Sequence, residues 1–164
     1  MSTTLSNPTI SLAIKASLAS GAAPAPIGSI VNHAPSVALG AGSTAGNVDR
    51  CYSTAIAVTT GTPLTLNLIS ALDPLGNALA MAHVTAVLLE NSSNTAGQDF
   101  TIGGGTNPAL GSFAGIAQAN GGACLVCNPS PGFAVASGSA DTITIAVAAG
   151  TDVPGKITVF GRSA

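Results

Sequence analysis

The stretch Asp141-Thr-Ile-Thr-Ile-Ala-Val147 carries the clearest structural signal in this chain of 164 residues. Apolar residues alternate with threonines along it, and successive side chains of a strand point to opposite faces of a sheet. The isoleucines and Val147 therefore share one face. The pattern predicts a half-buried β-strand whose apolar residues face a core and whose threonines face outward.

Similar strands are predicted on both sides of this stretch. Three leucines alternate with polar residues in Thr62-Pro-Leu-Thr-Leu-Asn-Leu68, and turn-forming residues follow at Asp73-Pro-Leu-Gly-Asn77. The segment Ala82-His-Val-Thr-Ala-Val-Leu-Leu-Glu90 is apolar on both faces, which indicates a central strand. Further strands are predicted at residues 99–102, 123–127, 133–136 and 156–160. Roughly seven or eight strands without helical periodicity predict an all-β fold, an antiparallel β-sandwich or jelly roll.

The first 47 residues differ from the rest in composition. Thr9-Ile-Ser-Leu-Ala-Ile-Lys-Ala-Ser-Leu18 fits either a strand or a short helix. Residues 20–47 are mostly Ala, Gly, Pro, Ser and Asn, which have little to bury against one another. We therefore expect an extended N-terminal arm over residues 1–47, ordered by contact with the sandwich or a neighbouring subunit, and a β-sandwich domain over residues 48–164. A disordered tail is the alternative.

Charged residues are scarce. Four basic and six acidic residues make up 6% of the chain, although 46% of it is hydrophobic. A monomer with so few charges is poorly equipped to stay soluble, so this composition predicts self-association. The basic residues are dispersed and the net charge is −2, which argues against nucleic-acid binding because such binding depends on basic patches.

No targeting or membrane segment is predicted. The longest charge-free stretch, between Lys15 and Asp49, is interrupted by prolines and glycines that break an apolar helix. The segment from Met1 to Ile10 has no basic start, and Lys15 interrupts the following apolar run, which does not fit a secretory signal. We therefore expect the protein to stay in the cytoplasm where it is made, with reduced thiols.

Cys124-Leu-Val-Cys127 is the one motif that suggests specific chemistry. A CxxC motif can form a redox pair or half of a zinc site. No second CxxC or HxxxH supplies further ligands, and the third cysteine, Cys51, is distant in sequence. If residues 123–127 form a strand, a spacing of three sends the two sulfurs to opposite faces. We interpret these cysteines as structural.

Other candidate sites are weaker. His33 and His83 could act together only if the fold brought them close, and no GxSxG motif marks a nucleophile. Gly103-Gly104-Gly105 lacks the GK[ST] ending of a phosphate-binding loop, so a turn or bulge is expected there. The sequence thus predicts no catalytic residue, no cofactor-binding residue, no metal ligand and no enzymatic activity.

The order of several short segments resembles that of small structural proteins of tailed bacteriophages and prophages. The resemblance covers roughly residues 48–163 and lies in strand order and glycine placement. It is carried by Thr65-Leu-Asn-Leu68, Asp73-Pro-Leu-Gly76, His83-Val-Thr-Ala-Val-Leu-Leu89, Ile102-Gly-Gly-Gly105, Gly121-Gly122, Phe133-Ala-Val135 and Ser139-Ala-Asp-Thr-Ile-Thr-Ile145.

This resemblance implies a head decoration or cement protein. Such proteins are jelly-roll-like oligomers, often trimers, that bind the capsid surface and contact the major capsid protein. The expected location is then the virion surface, after assembly in the host cytoplasm, with no cofactor. Alternatives are a tail or fibre component, a carbohydrate-binding β-sandwich, and an enzyme that uses the CxxC motif. The absence of Trp and the single Tyr count against sugar binding.

Overall fold

The computed structural model describes residues 9–11, 14–19, 28–33, 36–111 and 115–164, with side chains from residue 38 onward in these ranges. The secondary-structure elements of the described residues are β-strands. In chain order they are β1 (Thr9–Ser11), β2 (Ile14–Ala19), β3 (Gly28–His33), β4 (Ser36–Ala38), β5 (Gly40–Ala41), β6 (Asn47–Val48), β7 (Arg50–Val58), β8 (Leu64–Asn67), β9 (His83–Asn91), β10 (Phe100–Ile102), β11 (Ile116–Gln118), β12 (Ala123–Cys127), β13 (Phe133–Ala134), β14 (Thr142–Val147) and β15 (Val153–Arg162). The described residues therefore include no helix that could cross a membrane.

Two antiparallel sheets form the body of the protein. The four-stranded sheet has the order β11-β10-β14-β8. The five-stranded sheet has the order β12-β9-β15-β7, with β13 also paired to β9. Because β9 lies between β12 and β15, the central strand predicted for residues 82–90 is confirmed. The pattern-based prediction of an all-β sandwich is confirmed as well.

The core lies between the two sheets and follows the alternation in the sequence. On β14 of the four-stranded sheet, Ile143, Ile145 and Val147 are all buried, as the pattern predicts. They belong to one apolar cluster with Val87 and Ile157 of the five-stranded sheet. Burying a side chain of this size contributes about 1.5–3 kcal/mol, so this shared cluster is the main force that holds the sheets together.

Close packing between the sheets requires a glycine at position 155. A Cβ atom placed there would lie 2.5 Å from both the Glu90 carbonyl oxygen and the Phe100 ring. Phe100 is fully buried, so its ring has little room to move away. Farther along β15, a register shift between Phe160 and Gly161 marks a bulge, a common means of bending a strand.

The described N-terminal strands pair with one another. β1 pairs with β4 and β2 pairs with β3, both antiparallel. The two ladders are in the same register, because Ser11 lies opposite Ser36 and Ile14 lies opposite His33. We call β1, β2, β3 and β4 together the N-terminal hairpin. Of the two alternatives for residues 9–18, the described ones form strands.

A short tight segment joins the N-terminal hairpin to the sandwich. Gly40 lies opposite Asn47 in a parallel pair, and the Gly42 amide donates to the Val48 carbonyl over 3.1 Å. Leu39 is 5% exposed and Val48 is fully buried. Residues 39–48 therefore have buried contacts of their own.

Candidate functional site

The acidic residues of the sandwich act mainly as loop anchors. Asp73 accepts hydrogen bonds from the backbone amides of Leu75 and Asn77, at 2.9 and 2.8 Å. The amide of Asn77 is the main cause of the lowered pKa of Asp73, and the positive charge of Arg50 lowers it further. Asp73 therefore stabilises a turn.

Three other carboxylates have similar structural partners. Asp49 accepts from the amide and hydroxyl of Ser163, at 2.9 and 2.6 Å, and forms an ion pair with Arg50. Asp99 accepts from the Asn120 amide, and Asp141 accepts from the Gly138 amide. These carboxylates are dispersed, and no group of three or more His, Cys, Asp or Glu side chains in the described residues could hold a metal ion.

The two cysteines of the CxxC motif lie on opposite faces of β12. Cys124 is opposite the buried Leu89 and shares the core side of the strand, whereas Cys127 is opposite Ala86 on the outer side. This arrangement matches the alternation expected from their spacing. Both thiols are free, and burial raises the pKa of each, which lowers the fraction of reactive thiolate at neutral pH.

Cys51 lies on a different strand from the other two cysteines. It is opposite Phe160 in the pairing of β7 with β15. Burial is the main cause of its raised pKa, and the negative charge of Asp73 adds to it. None of the three thiols has the lowered pKa that marks a reactive cysteine.

The histidines lie in different sheets. His83 begins β9 and is opposite Arg162 of β15, whereas His33 belongs to β3 in the N-terminal hairpin. Burial lowers the pKa of His83, and the positive charge of Arg162 lowers it further. The His83 Nδ1 atom is buried without a hydrogen-bond partner. His83 is thus held mainly in the neutral form.

The triple glycine forms a bend after β10. Gly103, Gly104 and Gly105 have φ angles of 97°, 74° and 76°, a region that favours glycine. A Cβ atom on Gly105 would collide with the Thr144 side chain. These glycines let the chain turn and pass close to the sheet. The turn or bulge predicted from the sequence is therefore present.

The outer face of the four-stranded sheet has no charged residue. We call this surface the threonine-alanine face. Thr65 lies opposite Thr144, and Thr101 lies between Ala117 and Ala146. Its exposed or partly exposed members are Thr65, Asn67, Thr101, Ala117, Thr142 and Ala146. Thr144 lies on the same side but is buried beneath the Gly105 loop. Such a surface can be covered without removing a charge from water.

The outer face of the five-stranded sheet is also largely uncharged. Its strands place Leu88, Leu125 and Phe160, all partly exposed, on this side. Glu90 and Lys156 carry charge on this side, and they lie opposite each other. The described sandwich therefore has two broad outer surfaces with little charge.

β7 forms one edge of the five-stranded sheet. Among the described residues its only strand partner is β15. Among the side chains that the structure describes, the large apolar ones that are exposed are Leu72 (58%) and Leu75 (69%), on either side of Asp73. Because the charge of Asp73 acts on both Arg50 and Cys51, this turn lies near the start of β7.

The sequence analysis missed this edge and its two leucines. The available signal was the presence of two leucines in a turn, where polar residues are more usual. The order of strands in the sheet decides whether β7 lies at an edge. The local alternation of apolar and polar residues does not encode that order.

Comparisons with known proteins give no relative. No family model matches the sequence, and neither the curated proteins nor the solved structures contain a match.

Proposed function

We propose that this chain is a structural subunit of a virion, a capsid decoration or cement protein that binds the capsid surface as a homo-oligomer. Its partners are further copies of itself and the major capsid protein or another virion protein. The sequence resemblance to phage structural proteins motivates this function. The observation that supports it best in the structure is the uncharged threonine-alanine face.

A surface of this composition is well suited to repeated contacts. Thr and Ala lose little side-chain entropy when they are buried. Covering them removes apolar area from water without the cost of desolvating a charge. A protein that binds only the assembled shell stabilises that state by mass action, so many modest contacts can strengthen a capsid.

The chemistry of the described residues favours this function over the enzymatic alternative. Asp49, Asp73, Asp99 and Asp141 hold backbone or side-chain donors in loops. A general acid or base would need access to a substrate. The cysteines have raised rather than lowered pKa values, which is unfavourable for nucleophilic or redox chemistry.

Sugar binding also has little support. Aromatic rings are the usual stacking platforms for sugars, and the threonine-alanine face has none. The chain's only tyrosine, Tyr52, is partly buried and packs against the core. A tail or fibre role uses the same assembly chemistry and is distinguished by location in the particle.

The direct test measures the protein in particles. Particles produced by the phage or prophage that encodes the chain are purified, separated into heads and tails, and quantified by mass spectrometry. We expect a fixed ratio to the major capsid protein in the head fraction. Presence only in tails would support the alternative, and absence from particles would refute the virion function.

A face variant adds a structural control. Thr65→Glu with Ala117→Glu places charges at two exposed positions of the threonine-alanine face. Ser137→Glu adds a charge at an exposed turn away from that face. We expect the double variant to be lost from heads and the control to be retained. Equal retention of both proteins would show that this face does not bind the shell.

A further inference from the structure

We propose that the free edge of β7 binds the N-terminal hairpin of a second copy, which adds its strands to the five-stranded sheet. This inference specifies the self-association on which the proposed function rests. In such strand addition, backbone hydrogen bonds supply affinity and alternating side chains supply specificity.

β7 has the features of an edge that accepts another strand. It is nine residues long and contains no Pro, Gly or Lys, the residues that commonly protect an exposed edge. The other sheet edges are shorter: β8 has four residues, β11 has three and β12 has five. β7 is therefore the longest and least protected edge in the described sandwich.

Apolar side chains lie beside this edge. Tyr52 of β7 is only partly buried although it packs against the core. Leu72 and Leu75 lie in the turn near the start of the strand and are 58% and 69% exposed. An added strand would cover the exposed backbone of β7.

The strands of the N-terminal hairpin are rich in apolar residues. By register, Ile10 pairs with Val37, Ile14 with His33, Ala16 with Val31 and Leu18 with Ser29. The intervening pairs are mostly polar and include Ser11 with Ser36, Lys15 with Asn32 and Ser17 with Ile30. A two-stranded hairpin is marginally stable alone and gains stability from a third strand or a packed apolar face.

Within one chain, no third strand pairs with the N-terminal hairpin among the described residues. The hairpin strands pair only with one another, and β7 pairs only with β15. A second copy can supply a strand partner to both the hairpin and β7, because the hairpin of one copy can bind the β7 edge of the other. The described strands β2 and β3 have six residues each, and at about 3.4 Å per residue either can pair with about two thirds of the nine-residue β7.

Charge and symmetry fit this occupant. Lys15 is the only charged residue of the hairpin and Arg50 is the only one of β7, so little charge is removed from water at the contact. A hairpin-to-edge contact joins two different surfaces, and such contacts form rings when the rotation closes. The contact is therefore compatible with a trimer.

Two full-length variants test the contact. Ala57→Lys adds charge at an exposed position of β7 that lies opposite the uncharged Pro154, and Ile14→Lys with Leu18→Lys adds it at two apolar residues of β2. We expect each variant alone to lose self-association in light scattering. When mixed, they should form a one-to-one complex, because one retains a hairpin and the other retains an edge. Both carry added lysines, so charge attraction cannot produce this complex.

Matched controls separate edge effects from general effects of charge. Cys127→Lys makes the same change at an exposed position of β12 opposite the uncharged Ala86, on the opposite edge of the same sheet. Ser17→Lys places a lysine at a polar residue of β2. Both controls should associate like the wild type. Circular dichroism checks that every variant retains β-structure.

The outcomes distinguish the occupants. Normal association of the β7 variant would overturn the proposal. If only the β7 variant failed, another strand, such as β7 of a second copy, would be the occupant and the hairpin proposal would be wrong. If the protein is present in particles and its β7 variant assembles normally, the proposed function stands and the edge contact is wrong. If the wild type is a monomer and is absent from particles, both proposals are wrong.

Hydrogen exchange gives a second measurement without mutation. In the wild-type oligomer, backbone amides of β7 that point away from β15 should exchange more slowly than in monomer obtained by dilution. Equal exchange of β7 in the two states would overturn the proposal even if a lysine variant failed to fold.

Discussion

Lys156 of β15 lies directly opposite Glu90 of β9 on the outer face of the five-stranded sheet. The alternation of these strands puts Ile157 and Leu89 on the buried side of the same sheet. Opposite charges at directly facing positions stabilise a sheet modestly. Because the two charges are opposite, this pair adds no net charge to the outer face of the sheet.

Reversing one charge should destabilise this pair. In Lys156→Glu, two carboxylates face each other, and we expect a loss of about 0.5–1 kcal/mol in the free energy of unfolding. The double variant Glu90→Lys/Lys156→Glu should recover most of that loss. Urea denaturation measures both, and equal stability of the single and double variants would show that the residues do not interact.

His83 should make stability depend on pH below the ordinary histidine pKa of about 6.5. Burial and Arg162 lower its pKa in the folded state. The stabilising contribution is therefore complete above the ordinary histidine pKa of about 6.5 and is lost as pH falls from there toward the lowered folded value. Thermal unfolding of the wild type should shift to lower temperature over this range.

Variants assign this pH dependence to one histidine. His83→Gln should flatten it, whereas His33→Gln should retain it. Asp73, whose pKa is lowered mainly by the Asn77 amide, contributes in the same direction but only near and below about pH 4. An unchanged pH profile in His83→Gln would contradict the prediction.

The cysteines of the CxxC motif should be dispensable for assembly. Replacing Cys124 and Cys127 together by Ala should leave the oligomeric state unchanged, with a cost of about 1 kcal/mol or less from the core side of β12. Light scattering and urea denaturation measure the two effects. Stoichiometric zinc in the purified wild type, or dissociation of the double variant, would contradict a structural role.

The sequence pattern was sufficient for individual strands but not for their neighbours. Alternation located β14 and the buried positions Ile143 and Ile145, because side-chain direction follows a period of two residues. It did not reveal that β7 forms an edge. That property depends on which distant strands pair, and a local pattern carries no information on sheet order.

The N-terminal segment shows a different limit. The alternation of Ile10, Ile14 and Leu18 with polar residues fits a strand, but proline and glycine after residue 19 obscure the returning strand. The sequence analysis therefore predicts an extended arm. The arm itself stays a prediction. In the described residues, the register of β2 with β3 places Ala16 opposite Val31.

Two truncations test the role of this segment and the position of its boundary. Deletion of residues 1–47 should leave the β-rich sandwich folded but weaken its binding to the shell or to other copies. Because Leu39 is buried, this deletion should also reduce the free energy of unfolding by about 1.5–3 kcal/mol relative to deletion of residues 1–38. Circular dichroism, urea denaturation and light scattering measure fold, stability and association.

The shorter deletion separates assembly from folding. Removal of residues 1–38 takes away the N-terminal hairpin but keeps Leu39, the β5–β6 pair and the whole of β7. We expect the protein without residues 1–38 to have the same free energy of unfolding as the wild-type monomer. It should not self-associate, because the hairpin that binds the β7 edge is absent. If this protein unfolds, the hairpin contributes to the core of its own subunit. If it associates and binds particles like the full chain, the hairpin has no role in assembly.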